Sequence, residues 1–264
     1  MTIENRDLKL GTEKNILLIN PPIYDVRYWD KWAQPYGLLR IGSLLKILGH
    51  KTYLIDCMER PRDGLLKKKI IGRKVVDELA LNYYCFGKSI EDFKNEIANI
   101  PYKPDYIFVT SGMTYWWEST RDVIKVVKRI FPRATTIVGG IYPTLCPEHA
   151  EYNLGADIIF TGEVAEASDL PSDLSLYRVP PDYAIVTSSR GCPYNCAHCA
   201  QQKINGNGVR QKAAAVVVDE ITNKYKNYGI KKFAFYEDNI LINPEHHFEE
   251  IINRLIRKNL PLTI

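Results

Sequence analysis

The sequence predicts a doubly wound parallel α/β domain followed by the opening units of a βα barrel. Three observations carry that prediction. Five short apolar runs alternate with helix-patterned segments over roughly the first 160 residues, and parallel strands can be joined only through such crossover helices. A polar stretch rich in Pro and Ser then separates this series from a second one. The second series opens on a strand that runs directly into a loop holding three cysteines.

Each element has its own signal. Residues 15–22 (NILLINPP) read as a strand buried on both faces. Leu38, Ile41, Leu45 and Leu48 recur at helical spacing, and Gly49 stops the pattern. Residues 51–56 (KTYLID) are a second strand. The less regular stretch that follows, about 57–88, reads as an insertion carrying a basic helix at 66–74 (LKKKIIGRK) with a solvated face. Ser89 with Asp92 three residues on opens a helix as a variant of the capping box, with Phe93 and Ile97 on one face and Pro101 closing it. Strands at 105–112, 134–140 and 156–160 alternate with helices at 120–131 and 147–152, completing a flavodoxin-like sheet of five strands. Ligands of such sheets sit beyond the carboxyl ends of the strands, here at 20–25, 111–117, 139–144 and 162–163.

Residues 1–165 thus form the first domain, 166–182 a linker and 183–264 a second βα series. In the latter, 183–189 (YAIVTSS) is a strand, 213–228 a helix ended by Gly229, and 231–236 (KKFAFY) another strand. Asn243 is expected to cap the next helix with Pro244 at its first position, placing Phe248, Ile251, Ile252 and Leu255 inward. Residues 260–264 start a third strand. Two βα units and a strand do not close a barrel and would leave an edge bare, so the chain reads as truncated within the barrel.

Composition narrows the function. The net charge of +4 is small and its cations are dispersed, giving no argument for nucleic-acid binding. No apolar run approaches the roughly 20 residues of a membrane span, and the polar start lacks a signal-peptide core. A cytoplasmic, reducing location is expected, where clustered cysteines indicate metal or redox chemistry more than disulfides.

Cys192, Cys196 and Cys199 form a CxxxCxxC pattern after a strand, at what would be the catalytic mouth of a barrel. Thiolates are the usual ligands of iron–sulfur clusters. Three would hold three irons of a 4Fe–4S cluster and leave the fourth open. The alternatives are zinc with His198 as fourth ligand, strained because His198 adjoins Cys199, and thiols without metal. Cys57, Cys85 and Cys146 are scattered and read as inert, while His246 and His247 read as exposed.

The stretch SSRGCPYNCAHC resembles the cluster-binding loop of the radical S-adenosylmethionine enzymes. The resemblance implies that Cys192, Cys196 and Cys199 ligate iron and that the open iron chelates S-adenosylmethionine. His198 stands where the family usually has an aromatic ring beside the adenine. FYEDN, at the end of the second barrel strand, resembles an acidic stretch of the subfamily with an N-terminal cobalamin-binding domain. Glu237 and Asp238 would then accept hydrogen bonds from the ammonium or ribose of that cofactor. The family's commoner Gly-Gly-Glu is absent here.

The first domain is similar to those cobalamin-binding domains in TSGMTYWW and VGGIYPTLCPEHA, which align Ser111 with a serine turn and Gly139 and Gly140 with a glycine pair near the nucleotide tail. Tyr115, Trp116 and Trp117 would pack either on the corrin or as core anchors. The Asp-x-His-x-x-Gly motif that supplies a lower cobalt ligand elsewhere is absent, so any cobalamin would lack that histidine. What the resemblance implies is an enzyme that makes a 5′-deoxyadenosyl radical, takes electrons from a donor such as flavodoxin or ferredoxin, and methylates an unactivated carbon of a small-molecule substrate. A radical enzyme with a cobalamin-free first domain, or a non-catalytic iron–sulfur or zinc module, are the rival readings.

Overall fold

The computed structural model describes residues 2–4, 10–30, 34–60, 64–206 and 208–264. The first half runs β1 (Thr2–Glu4), β2 (Asn15–Asn20), β3 (Ile23–Asp25), α1 (Tyr36–Ile47), β4 (Lys51–Asp56), β5 (Lys68–Val76), β6 (Leu79–Phe86) and α2 (Ile90–Ile97). It continues through β7 (Tyr106–Thr110), α3 (Trp117–Ile130), β8 (Thr135–Gly139), α4 (Ile141–Leu145), α5 (Pro147–Leu154) and β9 (Ile158–Thr161). Six strands form one parallel sheet in the order β4-β2-β7-β8-β9-β1. Five of them take the predicted flavodoxin-like order. The sixth, β1, adds to the edge beside β9, with Thr2 opposite Ile159. It is three residues long and lies in a polar segment, so no apolar period announces it.

The core explains the apolar runs. Ile16, Leu17, Leu18 and Ile19 of β2 are all fully buried. Ile16 and Leu18 pack in a cluster with Leu38, Leu39 and Leu45 of α1, while Leu17 and Ile19 pack on the other face with Phe93, Val123 and Val127. Alternate residues of a strand point to opposite faces, so helices on both sides demand an unbroken apolar sequence. The predicted box at Ser89 forms: its Oγ accepts from Asp92 N–H at 3.1 Å, and Asp92 accepts from Ser89 N–H at 3.2 Å.

The basic helix expected at 66–74 is instead strand β5. It pairs antiparallel with β6, which pairs with β3. The β-branched Ile70, Ile71, Val75 and Val76 favour a strand, and Asp77 and Glu78 turn the chain with φ of 46° and 67°. Positive φ at both central residues is what a tight two-residue hairpin requires.

The second half contains β10 (Tyr183–Val186), β11 (Ser189–Arg190), α6 (Gln201–Asn205), β12 (Arg210–Gln211), α7 (Ala214–Tyr228), β13 (Lys232–Phe235) and α8 (Phe248–Lys258). β10 and β13 pair in parallel, and Thr263 bridges to Lys232 in parallel, beginning a third strand. The expected cap at Asn243 does not form. Its backbone is left-handed (φ 50°), its side chain makes no cap bond, and a short 3-10 turn at Pro244–His246 precedes α8. That turn carries His247 inward. Expected to be exposed, it is buried, with its ring Nε2 3.2 Å from the Ser188 carbonyl.

Residues 165–177 pack onto α1 and α7. Leu174 and Tyr177 are buried, and a Cβ on Gly42 would come within 2.5 Å of Leu176. Lys224 of α7 is buried too, with Nζ 2.5 Å from Glu220, 2.8 Å from Ser172 Oγ and 3.2 Å from the Ile185 carbonyl. Burial pulls its ammonium below the ordinary lysine range. Among the described residues no helix is long and apolar enough to cross a membrane.

Candidate functional site

The cysteine loop leaves β11 and returns through β12, and these two short strands pair antiparallel, Ser189 with Gln211 and Arg190 with Arg210. The neck is narrow. Gly191 has φ of 86°, and a Cβ there would lie 2.0 Å from the Gly208 carbonyl oxygen, so only glycine fits. Beyond it, Cys192 is half-buried and Cys196 and Cys199 are exposed, all three as free thiols. Cys199 N–H donates to the Cys196 carbonyl at 3.0 Å, folding the last two cysteines into one turn. His198 is exposed on that turn.

Glu237 and Asp238 lie just beyond β13 and reach across to the neck. Glu237 accepts from Ser188 N–H, from Ser189 N–H at 2.8 Å and from Ser189 Oγ–H at 2.7 Å. Asp238 accepts from Gly191 N–H at 2.6 Å and from Asn205 Nδ2 at 2.9 Å. On the far side Glu163, just past β9, forms ion pairs with Arg190 (3.1 Å) and Arg210 (2.5 Å). The donor chemistry fits an iron–sulfur cluster: three unpaired thiols on one accessible loop with its neck held. Among the described residues no three His, Cys, Asp or Glu side chains already converge as a metal site.

At the carboxyl ends of β2 and β7 lies a cavity of about 390 Å³, lined in part by Asn20, Ser111, Met113, Trp116, Ile141 and Tyr236. A second cavity of about 800 Å³, beyond β4, includes Asp56, Lys88, Tyr177 and Tyr183, and the two share Gln34 and Met58. Tyr236 matters most here. It comes from the second half, its N–H extends the β10–β13 pairing to Val186 (3.0 Å), and its neighbour in sequence is Glu237. A residue of the cavity wall and the carboxylate that holds the loop neck are therefore neighbours in the chain.

Ser111 is buried, with Oγ 2.9 Å from Thr120 Oγ1 and its N–H on the Gly139 carbonyl at 2.9 Å. The two glycines differ. A Cβ on Gly139 would meet Phe160 at an ordinary contact distance of 3.9 Å, whereas a Cβ on Gly140 would lie 2.4 Å from the Ser111 carbonyl oxygen. Gly140 therefore serves the approach of two backbone segments. Trp116 is anchored through Nε1 on Asp25 (2.9 Å), and Trp117 packs edge-on against His149 (5.3 Å). Met113 and Tyr115 remain 44% and 50% exposed. Cys57 follows Asp56 at the end of β4, its N–H on the Asn20 carbonyl at 2.9 Å, and Cys85 lies in β6. Burial lifts the Cys57 thiol well above its ordinary value and Cys85 to about 11.

Residues 32–170, more than half of the chain, match the B12 binding domain family. The chain belongs to that family. A cytidylyl-2-hydroxyethylphosphonate methyltransferase of Streptomyces wedmorensis is 31% identical over 94% of this chain and 59% of its own length. An anaerobic magnesium-protoporphyrin IX monomethyl ester cyclase of Synechocystis is 24% identical over 94% of this chain and 54% of its own. The B12-binding fold recurs in the radical S-adenosylmethionine methyltransferase TsrM from Kitasatospora setae, solved with cobalamin and a [4Fe-4S] cluster bound. That structure superposes with a TM-score of 0.64 at 14% identity, over 94% of this chain and 52% of that one. The resemblance to cobalamin-dependent radical S-adenosylmethionine enzymes holds, and this chain spans between half and three fifths of the length of these relatives.

Three groups escape a reading of the sequence. Pattern alone marks Tyr236 and Glu163 only as strand ends, and Arg190 only as part of the loop. Their signal is topological: each lies at a strand terminus on the ligand side, where an aromatic or charged residue has a reason to be.

Proposed function

We propose that the chain is part of a radical S-adenosylmethionine enzyme that uses cobalamin, most simply a methyltransferase acting on an unactivated carbon of a small molecule. One observation carries the reading: Tyr236 lines the cavity at the ends of the B12-type sheet, while the adjacent Glu237 grips the neck of the three-cysteine loop. Two cofactor sites then face one another across a single strand end. Cys192, Cys196 and Cys199 would hold a 4Fe–4S cluster, with His198 beside S-adenosylmethionine. Ser111 and Gly139 would border the cobalamin, and Gly140 holds the turn beneath them.

When bound, these groups supply one-electron cleavage of S-adenosylmethionine to methionine and a 5′-deoxyadenosyl radical, with methyl delivery from cobalamin. The protein's part is positional. The neck fixes the loop, and Met113 and Tyr115 offer apolar surface toward a corrin.

The test is anaerobic reconstitution of the full-length protein with iron, sulfide and hydroxocobalamin, followed by assay of 5′-deoxyadenosine. Uptake of about four irons and release of 5′-deoxyadenosine are expected, and Ala at any of the three cysteines should abolish both. One zinc and no iron would sink the reading. Cobalamin that washes off while the cluster stays would leave a radical enzyme with a cobalamin-free first domain.

A further inference from the structure

We propose that Glu163, Glu237 and Asp238 are positioning residues that set the neck of the cysteine loop before any metal is bound. The inference rests on the reading of that loop as a cluster site. The resemblance implies cofactor contacts for Glu237 and Asp238, yet the partners found for both are in the loop's neck and the helix behind it: Ser188, Ser189, Gly191 and Asn205.

The chemistry favours this use. A loop that must present three thiols together loses backbone entropy when it folds. Its N–H groups at 188, 189 and 191 need acceptors, and they donate to Glu237 and Asp238. Ionised carboxylates are the strongest acceptors available, and two in succession at the end of β13 supply them. Ser188 is held from the other side as well, its carbonyl accepting from Lys212 N–H at 2.8 Å and facing His247 Nε2 at 3.2 Å. Glu163 adds a tether from the B12-type sheet: by pairing with both Arg190 and Arg210 it closes the neck across β11 and β12. The cysteine loop is thus registered against both halves of the molecule.

The test compares full-length wild type with Glu237→Gln and Asp238→Asn. Amide hydrogen exchange is followed at residues 188–191 in the metal-free protein, then iron content and S-adenosylmethionine affinity per cluster after anaerobic reconstitution. Gln keeps one acceptor oxygen but turns an NH₂ toward donors, so exchange should quicken about tenfold, the scale of one hydrogen bond to a charged group. Iron uptake should fall with it, while affinity for S-adenosylmethionine per assembled cluster stays the same. Unchanged exchange and iron uptake with weakened S-adenosylmethionine binding would overturn the proposal and return both carboxylates to direct cofactor contact. If wild type takes up no iron yet exchange responds, the clamp stands and the cluster reading falls. Where a carboxylate variant unfolds, Ser189→Ala removes only the hydroxyl bond to Glu237, and a smaller rise in exchange confined to the neck is expected. No rise there also counts against the proposal.

Discussion

Asp56 ends β4 with both carboxyl oxygens engaged: Asn20 Nδ2 (2.7 Å) and Met58 N–H (2.9 Å) on one, the Tyr177 hydroxyl (2.8 Å) on the other. Burial nevertheless wins and holds the carboxyl above its ordinary value of 3.8. The folded state therefore binds more protons than the unfolded one once pH passes that value. Stability from this group is full below the ordinary value and is lost as pH rises through the raised one. Asp56→Asn removes the titration. The difference in unfolding free energy between wild type and variant should shrink from pH 3 to pH 7, as measured by urea unfolding. The loss is about 1.4 kcal/mol for each tenfold by which folding tightens the carboxyl's hold on its proton. A difference that grows with pH would reverse the assignment. The thiols give a second expectation: a thiol reagent at pH 8 should modify Cys192, Cys196 and Cys199 quickly and leave buried Cys57 and Cys85 unmodified until the protein unfolds. That division was visible in the sequence, because three cysteines within eight residues of one loop cannot all be core packing. The roles of Glu237 and Asp238 were not, because a carboxylate's partner is set by which backbone the fold brings to it.

At the scale of elements, the β5–β6 hairpin shows where local pattern misleads. Its run of lysines looks like a solvated helix face, but four β-branched residues and a turn demanding positive φ outweigh the charge. Glu78 holds φ of 67° at a cost of about 1–2 kcal/mol for a residue with a Cβ. Glu78→Gly should stabilise the hairpin by about 1 kcal/mol, seen as slower amide exchange in β5 and β6 with the rest of the chain unaffected. Faster exchange there would mean that the turn owes its shape to its side chains. The parallel strands were readable because burial on both faces leaves an unbroken apolar run, and α1 because its buried side chains recur at helical spacing. β1, β11 and β12 were not, being two or three residues long and defined by their partners alone.

For the whole molecule the question is whether the two halves fold as one. A single apolar cluster contains Ile16, Leu38 and Phe108 from the B12-type domain together with Ala184, Val217 and Ile251 from the barrel units. Polar ties reinforce it: the Tyr36 hydroxyl lies 3.0 Å from Thr187 Oγ1, Gln34 Nε2 donates to the Tyr183 carbonyl at 2.7 Å, and the Arg40 guanidinium, buried against Tyr36, donates to the Ala167 carbonyl at 2.8 Å. All four tryptophans lie before residue 165, so their fluorescence reports the first half, whereas amide exchange in α7 reports the second. The two probes should give one shared midpoint in urea. Tyr36→Phe should lower the shared stability by about 1 kcal/mol, the worth of one buried hydrogen bond, without splitting the transition. Hydroxocobalamin at a hundredfold excess over its dissociation constant should raise both probes together by about 2.7 kcal/mol, because a ligand of the sheet stabilises everything that unfolds with it. If the tryptophan signal rises alone while α7 exchange is unmoved, the shared core does not couple the halves, and the neck of the cysteine loop would then be blind to what the B12-type sheet has bound.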